Sequence, residues 1–95
     1  MFAVSVIFTI HPEYITPFRE LVQQHAARTL NREDGCRRFD VGYDAENPQR
    51  VFLYELYDSR EAFDQHAATD YVANFFAVAG DWIAAKEAHR WVVVD

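Results

Sequence analysis

The chain has one cysteine, three glycines, three prolines and one methionine among its 95 residues. Cys36 has no second cysteine to pair with, so no intrachain disulfide framework holds the fold and an intracellular setting is expected. Gly35, Gly42 and Gly80 are too scattered to cradle a nucleotide. Neither G-x-G-x-x-G nor G-x-x-x-x-G-K-S/T occurs. The four histidines show no H-E-x-x-H arrangement and no paired ligand spacing, so no metal site is expected. Neither Ser5 nor Ser59 lies in a nucleophile elbow. No apolar run approaches the roughly 20 residues that span a bilayer. Met1 leads directly into a strand pattern, without a basic n-region or a cleavage site. A cytoplasmic protein with no membrane partner is the expectation.

Basic charge is also scarce. Nine Lys and Arg stand against fifteen Asp and Glu, a net charge of −6. Arg28, Arg37, Arg38, Arg50 and Arg90 form no basic stripe, which argues against a nucleic-acid partner.

What is abundant is apolar and aromatic. Hydrophobic residues make up 51% of the chain, which marks a globular protein. The length suits one domain with one core, residues 1–95, without linker, repeat or low-complexity segment. Residues 2–10 are rich in β-branched and aromatic types and read as a strand. His11-Pro12 ends it, and Pro12 suits the first turn of a helix. Phe18, Leu21, Val22, His25, Ala26, Thr29 and Leu30 recur at helical spacing, predicting a helix near 13–32. Pro17 lies early enough in it to be tolerated. Asp34-Gly35 turns the chain. Residues 36–44 alternate, with Phe39, Val41 and Tyr43 against Arg38, Asp40 and Asp44. Residues 50–58 form a third strand after the Glu46-Asn47-Pro48 turn. Ser59 caps a helical region reaching about residue 86, broken near Thr69-Asp70 and Gly80. Residues 88–94 read as the last strand.

The order βαββαβ predicts an α+β, ferredoxin-like antiparallel sheet, with right-handed crossovers placing the helices on one face. The other face then needs a cover. Strand three carries Val51, Leu53 and Tyr57 on one side and Phe52, Tyr54 and Leu56 on the other. Trp91-Val92-Val93-Val94 is apolar on both sides. An exposed apolar sheet face is costly, and a second copy in a two-fold homodimer is the simplest cover.

One ordered set of residues carries a resemblance. Phe39-Asp40-Val41, Pro48, Phe52-Leu53-Tyr54-Glu55-Leu56-Tyr57, Ala62-Phe63, His66 and Thr69-Asp70-Tyr71 together resemble the antibiotic biosynthesis monooxygenase domain family. The resemblance spans nearly the whole chain and is closest to the quinol monooxygenase and signal-isomerase branches. It implies a dimeric α+β barrel with two sheets packed face to face. It also implies cofactor-independent oxidation of quinols or polyketide aromatics. The haem-degrading branch fits poorly. Its Asn on strand one has only Ser5 and Thr9 nearby, and its helix-borne Trp has no match in Trp82 or Trp91.

The candidate chemistry rests on a few titratable groups. His25 lies on the apolar stripe of the first helix, either as a general base or as a core-edge histidine bonded to a backbone carbonyl. Glu55 shares a strand face with Leu53 and Tyr57. A carboxylate there is either a base in an apolar site or the partner of Arg37 or Arg38. His66 follows Phe63 by three residues, on a semi-apolar helix face, either in a pocket or beside the last carbonyls of its helix. Tyr54, Tyr71, Phe39 and Phe75 are candidate substrate contacts. Alternation places Tyr54 and Glu55 on opposite faces. Cys36 reads as inert.

The expected function is a cofactor-free monooxygenase of a small electron-rich aromatic, with His25, His66 and Glu55 as catalytic candidates. Two alternatives remain at this point. One is an isomerase of a small phosphorylated carbonyl compound, whose phosphate Arg28, Arg37, Arg38 or Lys86 could hold. The other is a non-catalytic small-molecule-binding dimer.

Overall fold

Nine residues of alternating burial open the structure, a computed structural model that describes residues 1–94. They form β1 (Phe2–Ile10). A single 3-10 turn over Pro12–Tyr14 leads into α1 (Ile15–Arg32). Pro17 sits in the first helical turn, where its missing N–H has no partner to lose. A hairpin follows, β2 (Cys36–Tyr43) and β3 (Arg50–Tyr57). The second helical region is two helices, α2 (Arg60–Ala67) and α3 (Asp70–Ala79). Each has its own side-chain cap. Ser59 Oγ accepts from the Ala62 N–H and Thr69 Oγ1 from the Val72 N–H, each satisfying one orphan donor of a helix start. After a turn at Gly80–Trp82, β4 (Ile83–Val92) completes the sheet.

The sheet order is β2-β3-β1-β4, antiparallel throughout. This is the ferredoxin-like arrangement expected, with the second helix divided. The last strand differs from expectation. It begins at Ile83 rather than residue 88 and ends at Val92. Ala84 to Ala88 have helical composition, but pairing with β1 overrides that local preference.

Cross-strand register sorts the side chains. Val4, Val6 and Phe8 of β1, Val51, Leu53, Glu55 and Tyr57 of β3, and Phe39 of β2 are buried on the helix side. Phe18 and Val22 of α1 and Phe75 of α3 meet them in one core. Truncating such a residue, Phe8 for example, costs roughly 3–5 kcal/mol. On β4 the helix-side positions are Lys86, Ala88 and Arg90, paired with Phe8, Val6 and Val4. All three are exposed, because the helices leave this edge uncovered. The phase of β4 is set by a bulge. Thr9 pairs with Ala85 but Ile10 with Ile83, leaving Ala84 as an extra residue.

The opposite face carries Ile7, Phe52, Tyr54, Leu56 and Trp91. Phe52 and Trp91 are exposed there, and the Trp91 indole N–H donates to Ser5 Oγ. On this face β4 is less apolar than expected. Its open side is Ala85, Glu87, His89 and Trp91, and Val93 and Val94 lie beyond the strand.

Candidate active site

The last turn of α2 holds a buried ring. His66 is 5% exposed, although it lies in the polar last turn of a helix. Burial of an imidazole demands a partner, and the Glu33 carboxylate supplies it. Glu33 is the residue that closes α1, with its backbone already extended. Its Oε2 lies 2.7 Å from His66 Nδ1. A carboxylate there accepts the Nδ1 proton and fixes the ring so that Nε2 is the free nitrogen. On the Nε2 side stands Glu55, with Oε1 at 3.9 Å. The Tyr57 hydroxyl donates to the same Glu55 oxygen at 2.6 Å.

Burial pushes the Glu55 carboxyl above its usual range, against the lowering effects of the Tyr57 hydrogen bond, His66 and Lys86. Burial, reinforced by Glu55, likewise raises the Tyr57 phenol, which stays protonated as a donor. Neither Arg37 nor Arg38 reaches Glu55. They pair with Asp58 and Asp40, because Glu55 points toward the helices while the bulge at Arg37 turns both arginines outward.

His66 and Glu55 border a cavity of about 400 Å³ between β1, β4 and the α2–α3 pair. Val4, Val6 and Leu53 make its floor, and Phe63, Phe75 and Phe76 its walls. Its lining is apolar with a few convergent polar groups, the usual character of a small-molecule site.

His25 lies behind this cavity rather than in its lining. It is 6% exposed and stacked on Phe75 at 4.6 Å between ring centroids. The His66 ring is 5.7 Å away. Burial lowers its pKa to about 4, helped by His66 and Arg28, so His25 is neutral at neutral pH. Its Nδ1 has no hydrogen-bond partner among the described residues, and the same holds for the buried Tyr71 hydroxyl. The alternative of a core-edge histidine bonded to a backbone carbonyl therefore finds no such bond at Nδ1. Phe39 packs against both imidazoles, at 5.6 Å from His25 and 6.2 Å from His66. Tyr71 packs on both at 5.9 and 6.2 Å. The structure thus gathers His25, His66, Phe39, Tyr71 and Phe75 into one cluster, with Glu55 beside it. It leaves Tyr54 out. That ring is on the opposite sheet face, under the Arg38 guanidinium at 5.8 Å, as strand alternation requires.

Glu33 was not legible as a site residue. It sits in a helix-ending cluster, Asn31-Arg32-Glu33-Asp34-Gly35, that reads as turn chemistry. Its partner is remote in sequence, and no spacing rule points to it. Cys36 is buried, and burial pushes its thiol up to about 11, which leaves it unreactive. Among the described residues no group of three or more His, Cys, Asp or Glu could hold a metal ion. No described helix is long and apolar enough to cross a membrane.

The chain has relatives. Residues 1–78 match the family model described as "Antibiotic biosynthesis monooxygenase". The "Putative monooxygenase Rv0793" of Mycobacterium tuberculosis is 32% identical over 86 residues, covering 90% of this chain and 83% of that protein. Its solved structure superposes with a TM-score of 0.89 at 27% identity, over 99% of this chain and 95% of the other. A structure from Nitrosomonas europaea, described as a "Putative antibiotic biosynthesis monooxygenase", covers all of both chains with a TM-score of 0.93 at 24% identity, a likeness of fold. With its sheet order, helix placement and matched residues in agreement, the chain belongs to the antibiotic biosynthesis monooxygenase family.

Proposed function

We propose that this protein is a cofactor-independent monooxygenase acting on a small electron-rich aromatic of the quinol type. The observation that carries the reading is His66. Its ring is fixed through Nδ1 by Glu33, and its free Nε2 faces Glu55 at the edge of an apolar cavity. The relatives' names support the oxygenase class, and they lend nothing to the isomerase or binding-only alternatives.

The substrate supplies the electrons. His66 Nε2 takes the phenolic proton, and the resulting phenolate passes one electron to dioxygen. The phenoxyl radical and superoxide join at a ring carbon to form a carbon-bound peroxide. His66 returns its proton to the outer peroxide oxygen. Loss of the ring C–H proton together with hydroxide then breaks the O–O bond, giving a carbonyl and one water. One oxygen atom enters the product and the other leaves as water. Burial drives Glu55 toward its neutral form, in which it donates a hydrogen bond to the substrate oxygen. The apolar walls exclude water from the radical pair, and the fixed ring holds the base in place.

Oxygen uptake with a panel of quinols and hydroxyaromatics, using labelled dioxygen, tests this. Label is expected in both product and water. Absence of uptake across the panel, or a product oxygen derived from water, overturns the reading.

We propose in addition that two copies pack through the open sheet face. Ile7, Phe52, Leu56 and Trp91 supply an apolar patch that an isolated monomer leaves in water, and such patches mark contact surfaces.

A further inference from the structure

The cavity opens along β4, and its mouth is charged against the trend of the whole molecule. The chain has a net charge of −6. Yet Lys86 and Arg90, two positions either side of Ala88 on one strand face, are the exposed charges that line this cavity. Both are cations, and neither is ion-paired among the described residues. Aromatic walls hold them instead. Lys86 Nζ lies 4.8 Å from the centre of the Phe76 ring, and the Arg90 guanidinium 5.2 Å from that of Phe63. Such contacts orient a cation without neutralising it. The carboxylate of the lining, Glu55, is driven toward its neutral form by burial.

The sheet register fixes where these charges stand relative to the chemistry. Arg90, Val4, Glu55 and Phe39 form one row across the four strands, all on the helix side. Arg90 and Glu55 are therefore separated by two strand spacings, roughly 10 Å between backbones. Val4 is the apolar floor between them. A planar ring lying over Val4 presents one end to Glu55 and His66 and the other to the cations.

We infer that the site selects an anionic substrate: an aromatic whose phenolic end meets His66 and Glu55, and whose far end carries a carboxylate, phosphate or sulfate held by Lys86 and Arg90. This rests on the oxygenase reading for the orientation of the phenol, but the anion preference is a binding property and is measured without turnover. Unpaired cations at a cleft mouth raise the local concentration of anions. They also exclude cationic analogues.

Calorimetric titration of the wild-type protein compares three ligands of one ring size: 2,5-dihydroxybenzoate, neutral hydroquinone and a cationic aminomethyl hydroquinone. The anion is expected to bind tighter than the neutral ligand by on the order of tenfold, and the cation weakest. The advantage shrinks with added salt. Lys86→Gln and Arg90→Gln each narrow the gap between anion and neutral ligand, and Arg90→Lys retains most of it. Both side chains are exposed, and circular dichroism checks that each variant keeps the fold. Phosphorylated and sulfated hydroquinones show which anion fits best. Equal binding of the three original ligands, or a gap that persists in the Lys86→Gln, Arg90→Gln double variant, overturns the inference. Anion preference without oxygen uptake upholds it and removes the oxygenase reading.

Discussion

Glu33, at the end of α1, holds the Nδ1 edge of His66 at 2.7 Å across a separation of 33 residues. The first crossover thus supplies the carboxylate and the second supplies the ring. Forming this contact docks α2 against the end of α1, so the fold and the orientation of the proposed base are established together.

Replacing His66 with Ala removes the free Nε2. Turnover of a quinol substrate is expected to fall by roughly 10²–10⁴-fold. Steady-state oxygen uptake measures it, and wild-type turnover in the variant rejects His66 as the base.

Glu33→Ala leaves the imidazole but releases it. A misplaced base costs on the order of 10²-fold, carried by kcat with KM little altered. Glu33→Gln, whose side-chain carbonyl can still accept from Nδ1, restores part of the rate. A purely structural Glu33 would instead lower the melting temperature of Glu33→Ala and leave kcat of the folded protein intact.

Acid stability reads out His25. Its pKa in the folded chain is about 4, below the unfolded value of 6.5, so the unfolded chain binds more protons between those limits. Stability is therefore lost as pH falls from about 6.5 toward 4, by at most about 2–3 kcal/mol after allowance for solvent screening. Glu55 works in the opposite sense. Its folded pKa is raised, so its contribution is present below the unfolded value near 4.5 and is lost as pH rises through the folded value. Urea unfolding against pH should show a flatter acid limb in His25→Phe. Glu55→Gln, which can still accept from Tyr57, should remove the loss on the higher-pH side. Unchanged profiles in both variants contradict these assignments.

Sedimentation tests the proposed dimer. Two copies joined through the open sheet face should sediment as one species at micromolar concentration, with total buried area above roughly 1,000 Å². Leu56→Asp places a charge in that patch and should yield monomer or aggregate. A wild-type monomer at these concentrations refutes the arrangement.

Gly35 should tolerate no side chain without cost. A Cβ there would stand 2.9 Å from the Cβ of Ala62 on α2. Gly35→Ala is expected to destabilise by about 1–3 kcal/mol and to lower kcat as well, because α2 carries His66. Gly80→Ala, where a Cβ meets nothing within 4 Å, is the control.

Much of this was legible in the chain, and the gaps have a common cause. The β-branched and aromatic run of residues 2–10 marked β1, and the stripe from Phe18 to Thr29 marked the buried face of α1. Both signals are carried within a single element. The same periodicity placed His25 and His66 on inward faces, and alternation along β3 separated Tyr54 from Glu55. What stayed hidden depends on which elements meet. Ala84 to Ala88 look helical until β1 offers an edge to pair with. Glu33 looks like a turn residue until His66 arrives. Lys86 is one of four interchangeable phosphate candidates, and Arg90 a scattered charge, until strand register sets the two beside a cavity.

That register hangs on Ala84, the extra residue opposite Thr9 and Ile10. Side chains alternate along a strand, so one residue more or less exchanges its two faces. With Ala84 in place, the cavity side of β4 shows Lys86 and Arg90 while Glu87 and His89 look away. Were Ala84 instead paired with Thr9 in an unbroken ladder, Glu87 and His89 would stand opposite Val6 and Val4, and an acidic side chain would guard the mouth. The polarity of the site is in this sense counted out rather than drawn from composition: pairing one alanine instead of skipping it would set an acidic side chain where the cations stand, with every charged residue of the protein still present.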